Sequence, residues 1–297
     1  MNPPVNHTAR LGLIDVGPVF AAHGVRSRRW TVRPGLSLAG LFVLFLLIAA
    51  LQPAWLVSGD PLQASAREAF RAPDSVYWLG TDENGRDILT RLVYAVRPSL
   101  VLGVSATAIG LRVGTVFGLA AGLGPRWLDG AVMRTVDVLL AFPDLLLALV
   151  IITFFGQGQL NLILAVGIAS VPRYARLVRA QTLGVRSAGY VEAATTLGLS
   201  RAAVIVRHIL PNAIKPVLIL ATIGIGGNIV NGAALSFLGF GAPPPAPEWG
   251  GMLAMGRNYL ANAGWLVAWP ALAITLTVVS ISAIGRELLR RSEGKRP

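Results

Sequence analysis

Long stretches without a single charged residue constrain this chain more than any other feature. No charge occurs between Arg33 and Asp60, between Asp144 and Arg173, between Lys215 and Glu248, or between Arg257 and Arg286. A helix rises about 1.5 Å per residue, so about 20 apolar residues match the roughly 30 Å hydrocarbon core of a bilayer. Each gap has room for at least one span. Charged residues make up 13% of the chain, against roughly 25% in soluble domains, while 54% is hydrophobic. The expected fold is an all-α polytopic membrane protein.

Six transmembrane helices are expected, at 36–57, 98–123, 131–155, 159–181, 213–236 and 262–285. Gly156 and Gly158 in "FGQGQ" divide the gap between Asp144 and Arg173. Pro98 suits the first turn of the second span, where a missing N–H leaves nothing unpaired. The basic run Arg26, Arg28, Arg29 and Arg33 precedes an apolar stretch longer than the core of a cleaved signal, so a retained first span is expected. With the N-terminus inside, nineteen Lys and Arg fall on the cytoplasmic side and six outside. That bias places both termini in the cytoplasm. The expected layout is a cytoplasmic tail at 1–35, an extracytoplasmic segment at 58–97, a five-helix core at 98–285 and a cytoplasmic tail at 286–297. A polar cytoplasmic loop at about 186–212 lies between spans four and five.

Several chemistries are excluded or unsupported. Without cysteine there are no disulfides and no thiol catalysis. A net charge of +12 would suit nucleic acid, but the arginines track span ends rather than a basic face of a soluble domain. The two lysines, Lys215 and Lys295, lie outside any Walker A context, so no nucleotide site is visible. Gly224, Gly226 and Gly227 are read as close helix packing. His7, His23 and His208 are scattered, and no metal site is expected. A self-sufficient channel or secondary transporter would bury more ionisable groups than Arg112, Asp137 and Asp144. Arg112 is expected either to pair with Asp137 or Asp144, or to sit shallower than the second span suggests.

On the outside, "LGTDENGRDILTRLVYAVRPSL" has the pattern of an amphipathic interfacial helix. Thr81 is its expected cap, Asp82 and Glu83 complement its dipole, and Asp87 and Arg91 form an i,i+4 pair. With Arg86, these carboxylates are expected on the extracytoplasmic surface; no glutamate follows at calcium-loop spacing. Pro243 to Pro245 stiffen a second outside loop, in which Trp249 is expected at the membrane interface.

The polar loop "YVEAATTLGLSRAAVIVRHILPN" has its own grammar. Ser187 is expected to cap a short helix that Gly198 ends, and Ser200 to cap a second one running to about Ile209. Pro211 and Asn212 are expected to break that helix before span five. Two short helices about a glycine corner make a compact knob, with Ala193 and Ala194 permitting close approach by another protein.

That stretch resembles the EAA loop of ABC-importer permeases, with Glu192, Ala193 and Ala194, then Gly198, then Leu210 and Pro211. His208 stands where the pattern often has an aliphatic residue. "MRTVDVLLAFPDLLLAL", "RYARLVRAQTL" and "ALSFLGFGAPPPAPEWGGML" are similar to the dipeptide/oligopeptide permease C subfamily, whereas the end of span six, "SISAIGRELLRRSEG", departs from it. The resemblance implies the type I ABC-importer permease fold in a bacterial plasma membrane. It implies a homologous second permease subunit, two ATP-binding subunits (or one fused ATPase) that grip the EAA loops, and an extracytoplasmic substrate-binding protein. ATP and Mg would be bound by the ATPases, with no cofactor on this chain. The cargo would be di- or oligopeptides, or in relatives nickel or another small solute.

Overall fold

The computed structural model describes residues 34–292. The basic run from Arg26 to Arg33, His7, His23 and Lys295 lie outside the described residues. The long helices are α1 (Pro34–Leu51), α2 (Ile88–Leu123), α5 (Gln159–Arg186), α8 (Leu210–Phe237) and α10 (Trp265–Ser292). Shorter ones are α3 (Arg126–Leu140), α4 (Asp144–Phe155), α6 (Gly189–Thr196), α7 (Arg201–Val204) and α9 (Trp249–Gly256). No strand occurs among the described residues, only an isolated bridge between Thr81 and Asp87. Five helices are long and apolar enough to span a membrane, and α3 with α4 makes a sixth if that bent pair is one span. The architecture is the expected all-α polytopic one.

The third span is not a single rod. α3 and α4 meet at 96°. Proline disfavours helical backbone at the residue before it. Phe142, the residue before Pro143, accordingly falls in the break, and Pro143 stands just before α4.

The second helix also departs from expectation. α2 begins at Ile88 and runs 36 residues straight through Pro98, so no separate interfacial helix precedes the span. Its first turns bury Ile88, Leu92, Val93, Ala95 and Val96 against α1, α9 and α10, so protein rather than headgroups covers that face. Residues 82–87 are a turn, because Asn84–Gly85 demands one: Gly85 has φ +72°, and a Cβ there would lie 1.9 Å from the Ser65 carbonyl. The helix cap is Asp87, which accepts from the Thr90 amide at 2.9 Å, not Thr81.

Between α2 and α5, Gly110, Gly114, Gly118 and Gly122 recur every fourth residue and face Ser170, Tyr174, Val178 and Thr182. Small residues at this spacing let the helix axes approach closely, the usual basis of packing inside a bilayer. Gly224 receives the Tyr174 hydroxyl and Gly226 meets Val278, as expected of packing glycines, whereas Gly227 faces open space. In the same layer Asn228 donates to Thr107 Oγ1 at 2.9 Å, joining α8 to α2.

Candidate functional site

The knob grows out of α5 and returns directly into α8. α5 ends at Arg186, and α6 follows after Ser187 and Ala188. Ser187 does not cap α6; its hydroxyl turns back onto the Leu183 and Gly184 carbonyls of α5, leaving Ala188 at the cap position. Gly198, at φ +83°, turns the chain as expected. Its amide donates to Thr195 O at 3.0 Å and the Leu199 amide to Ala194 O at 3.2 Å. That bond pair is a Schellman motif, which satisfies the last carbonyls of α6. Ser200 then caps α7 by accepting from the Ala203 amide at 3.3 Å.

α7 does not stop at Pro211. It passes through a π turn at Ile205–Ile209 and continues into α8. Pro211 has no N–H for a helical bond, and the wider turn absorbs the mismatch: Leu210 N–H donates back to Ile205 O. The side chain of Asn212 donates to the His208 carbonyl at 2.7 Å. The pair expected to break the helix is accommodated within it.

Val191, Ala194, Val204 and Ile209 form the knob's core, with Leu123, Val185, Leu199 and Ile205 packed around it. Ala194 is therefore a core residue, not a contact surface, because α6 turns its i,i+3 positions inward. Glu192 and Ala193 are exposed, as are Tyr190 and Leu197, the latter 80% accessible. Tyr190, Ala193 and Leu197 lie on one helical face, an apolar stripe beside the Glu192 carboxylate. Sequence reasoning passed over Tyr190 and Leu197, although their i,i+3,i+7 spacing with Ala193 was the signal. A cleft of about 570 Å³ opens between the knob and the end of α2, bordered by Leu123, Arg186, Glu192, Thr195, Leu199 and Arg201. Arg186 donates to Gly122 O and Arg201 to Leu123 O, both at 3.0 Å. Two guanidinium groups thereby satisfy terminal carbonyls of α2 and complement its negative end.

Three ion pairs bind the α3–α4 bend to α5. Arg179 holds Asp129 at 2.5 Å, Arg176 holds Asp137, and Arg173 holds Asp144. Asp137 and Asp144 are thus not partners of Arg112. They face α5, whereas Arg112 is exposed and has no ion pair among the described residues.

The residues expected on the extracytoplasmic surface turn inward. Asp82 and Arg86 are buried, Glu83 and Asp87 half-buried. Asp82 accepts from the Arg86 amide at 3.0 Å and from Arg86 Nε at 2.7 Å, while Glu83 accepts from Arg86 Nη2 at 3.1 Å. Arg91 pairs with Asp82, 3.5 Å away, and not with Asp87. It also donates to the carbonyls of Pro61 at 3.0 Å and Pro245 at 3.3 Å, joining the loop before α2 to the loop before α9. Trp249 is not interfacial: it is 1% exposed and donates to Leu92 O at 3.2 Å. Trp265 donates to Thr81 O at 3.2 Å. Glu248 caps α9 through the Gly250 and Gly251 amides, at 3.0 and 2.9 Å. Burial raises its pKa above the ordinary glutamate value, against those hydrogen bonds. Among the described residues no cluster of His, Asp or Glu is arranged to hold a metal ion.

Residues 114–294 match the family described as binding-protein-dependent transport system inner membrane component. The glutathione transport system permease protein GsiD of Pectobacterium atrosepticum is 37% identical over 288 residues, covering 95% of this chain and 96% of the relative. The dipeptide transport system permease protein DppC of Alkalihalophilus pseudofirmus is 39% identical over 252 residues, covering 84% and 83%. Among solved structures, the inward-facing MetNI methionine ABC transporter aligns with a TM-score of 0.57 at 19% identity, over 68% of this chain and 95% of that one. At that identity the likeness is one of fold.

Proposed function

Because this chain belongs to the family of binding-protein-dependent transport system inner membrane components, we propose that it forms half of a peptide-import pathway and takes its drive from ATPases docked on the 186–212 knob. The observation that carries this reading is the knob itself. It is a small folded unit whose exposed stripe of Tyr190, Ala193 and Leu197 flanks Glu192, continuous at both ends with spanning helices.

In this reading Glu192 and Ala193 meet the ATPase, Ala194 and Gly198 hold the shape, and Leu210 and Pro211 carry the movement into α8. ATP and Mg reside on two ATP-binding subunits, or one fused ATPase, and this chain binds no cofactor and catalyses no reaction. A homologous second permease completes the pathway, and an extracytoplasmic binding protein delivers cargo to the face that Asp82, Glu83, Arg86, Asp87 and Trp249 hold in shape from beneath. Both termini lie in the cytoplasm, in accord with the excess of basic residues there. Arg112, without an ion pair among the described residues, is most economically placed against the second permease or a hydrated pathway, since an arginine facing lipid is costly.

Di- and tripeptides, including glutathione-like ones, are the proposed cargo, as the relatives' names suggest. The test is ATP-driven uptake by the assembled transporter in proteoliposomes, offering labelled dipeptide, glutathione or nickel. Peptide uptake that requires ATP and the binding protein supports the reading. Uptake by this chain without ATPases would replace it with a self-sufficient transporter, and nickel uptake alone would change the cargo.

A further inference from the structure

The exposed face of α3 is left unexplained by the knob and by the outside platform. Gln159, at the start of α5, donates to the Pro98 carbonyl at 3.3 Å, so the two mark one level near the extracytoplasmic end of the spans. About 20 residues along α5, one hydrocarbon thickness, lies Arg179. Arg179 holds Asp129 of α3. α3 therefore lies at the opposite membrane boundary. Its 96° angle to the uniformly apolar α4 turns it away from the direction of the span.

The charges of α3 are sorted. Asp129 and Asp137 are engaged by arginines of α5, whereas Arg126 and Arg134 are exposed and form no ion pair among the described residues. Trp127, 72% accessible, stands beside Arg126, and Val138, 62% accessible, lies one turn beyond Arg134. An indole flanked by unpaired guanidinium groups at this depth matches the boundary of acyl chains and phosphates.

We propose that α3 is a lipid-docking helix whose Arg126 and Arg134 bind the phosphates of anionic phospholipids while Trp127 seats among the upper acyl chains. The assignment to the cytoplasmic leaflet rests on the orientation proposed above; the lipid contact does not. Basic residues near an anionic surface attract it additively. Arg179 and Arg176 of α5 neutralise Asp129 and Asp137, so Arg126 and Arg134 carry the uncompensated charge of α3 and act in the same direction.

The chain has no cysteine, so Ala131→Cys on the same exposed face takes a single fluorophore. The full chain, purified with its copurifying subunits, is placed in phosphatidylcholine vesicles containing brominated phosphatidylglycerol or brominated phosphatidylcholine. Quenching by the anionic lipid should half-saturate at a mole fraction on the order of tenfold lower. That preference should disappear in R126Q/R134Q and survive in R126K/R134K. Absence of quenching by either lipid would mean that protein covers this face, and would overturn the proposal. Equal quenching unchanged in R126Q/R134Q would mean apolar contact without phosphate recognition, and would also overturn it. ATP-driven uptake, measured on separate vesicles of the same preparation, bears on the transport reading and leaves the quenching comparison standing.

Discussion

The Leu199 amide donates to the Ala194 carbonyl at 3.2 Å, spanning Gly198 and fixing the angle at which the knob turns. Nothing lies within 4 Å of where a Cβ on Gly198 would point, so the constraint there is conformational rather than steric. A β-branched residue at φ +83° costs about 1–3 kcal/mol, whereas asparagine tolerates the left-handed region. Gly198→Val should therefore insert and assemble but lose ATP-driven uptake, and Gly198→Asn should retain most of it. Uptake assays on purified, size-checked complexes decide; equal uptake by wild type and Gly198→Val would remove the corner from the coupling route.

The pair of Arg179 and Asp129 links α5 to α3, with both side chains about a quarter exposed. Partial solvent screening keeps such a pair to roughly 0.5–1 kcal/mol. Asp129→Asn and Arg179→Gln should each lower the thermal midpoint slightly, and the double variant should lose less than the sum. A double-mutant cycle by thermal unfolding in detergent measures that coupling. Strict additivity would mean that the two groups do not act on each other.

These pairs also show where the sequence was readable. The uncharged gaps located the long helices because burial in lipid leaves a composition signal that needs no knowledge of partners. Gly198 and Ser200 were readable for a related reason: caps and corners are local, and the residue types that satisfy them are few. Whether Asp137 or Asp144 pairs with Arg112 stayed open in the sequence because several arginines were available and only the tertiary path selects among them. Their partners Arg173 and Arg176, with Arg179, recur every third residue on α5, a faint hint that the acids of α3 and α4 face that helix. Trp249 carries no local mark of burial, since its hydrogen-bond acceptor, Leu92, lies 157 residues away in sequence. Residues 82–87 were a matter of competing local signals. Acidic residues before an apolar run suggested a helix start, but Asn84–Gly85 fixed a turn and sent Asp82 inward to Arg86 and Arg91.

The guanidinium of Arg91 is a second place where one substitution should be costly. It is 2% exposed, faces Asp82 and donates to Pro61 and Pro245 carbonyls on separate loops. Asp82 keeps its pairing with Arg86 when Arg91 is removed, but the Pro61 and Pro245 carbonyls lose their donor, at about 1–3 kcal/mol for each buried acceptor left unsatisfied. Arg91→Leu should lower the thermal midpoint strongly and expose the 58–87 segment to protease, while the knob's uptake phenotype is not reproduced by any residual folded fraction. Arg91→Lys should rescue only partly, because an ammonium cannot reach both carbonyls in the planar geometry of a guanidinium. Limited proteolysis with thermal unfolding checks both; an Arg91→Leu protein as stable as wild type would show that the loops are held by other contacts.

Glu248 provides the pH dependence. Burial raises its folded-state pKa, while the amides of Gly250 and Gly251 oppose the shift without cancelling it. A folded-state pKa above the unfolded value means that the native chain holds the proton more tightly. The resulting stability is fully present below the ordinary glutamate pKa and is lost as pH rises through the higher folded value. Relative to wild type, Glu248→Gln should therefore compare least favourably in acid and gain ground as pH rises across that window. The glutamine can accept only one of the two amide hydrogen bonds, which adds a pH-independent cost of about 1 kcal/mol. Thermal midpoints of both proteins, taken from acid to neutral pH in one detergent, give the difference curve. A difference that grows against the variant as pH rises would reverse the sign and show that the amides, rather than burial, dominate this carboxyl.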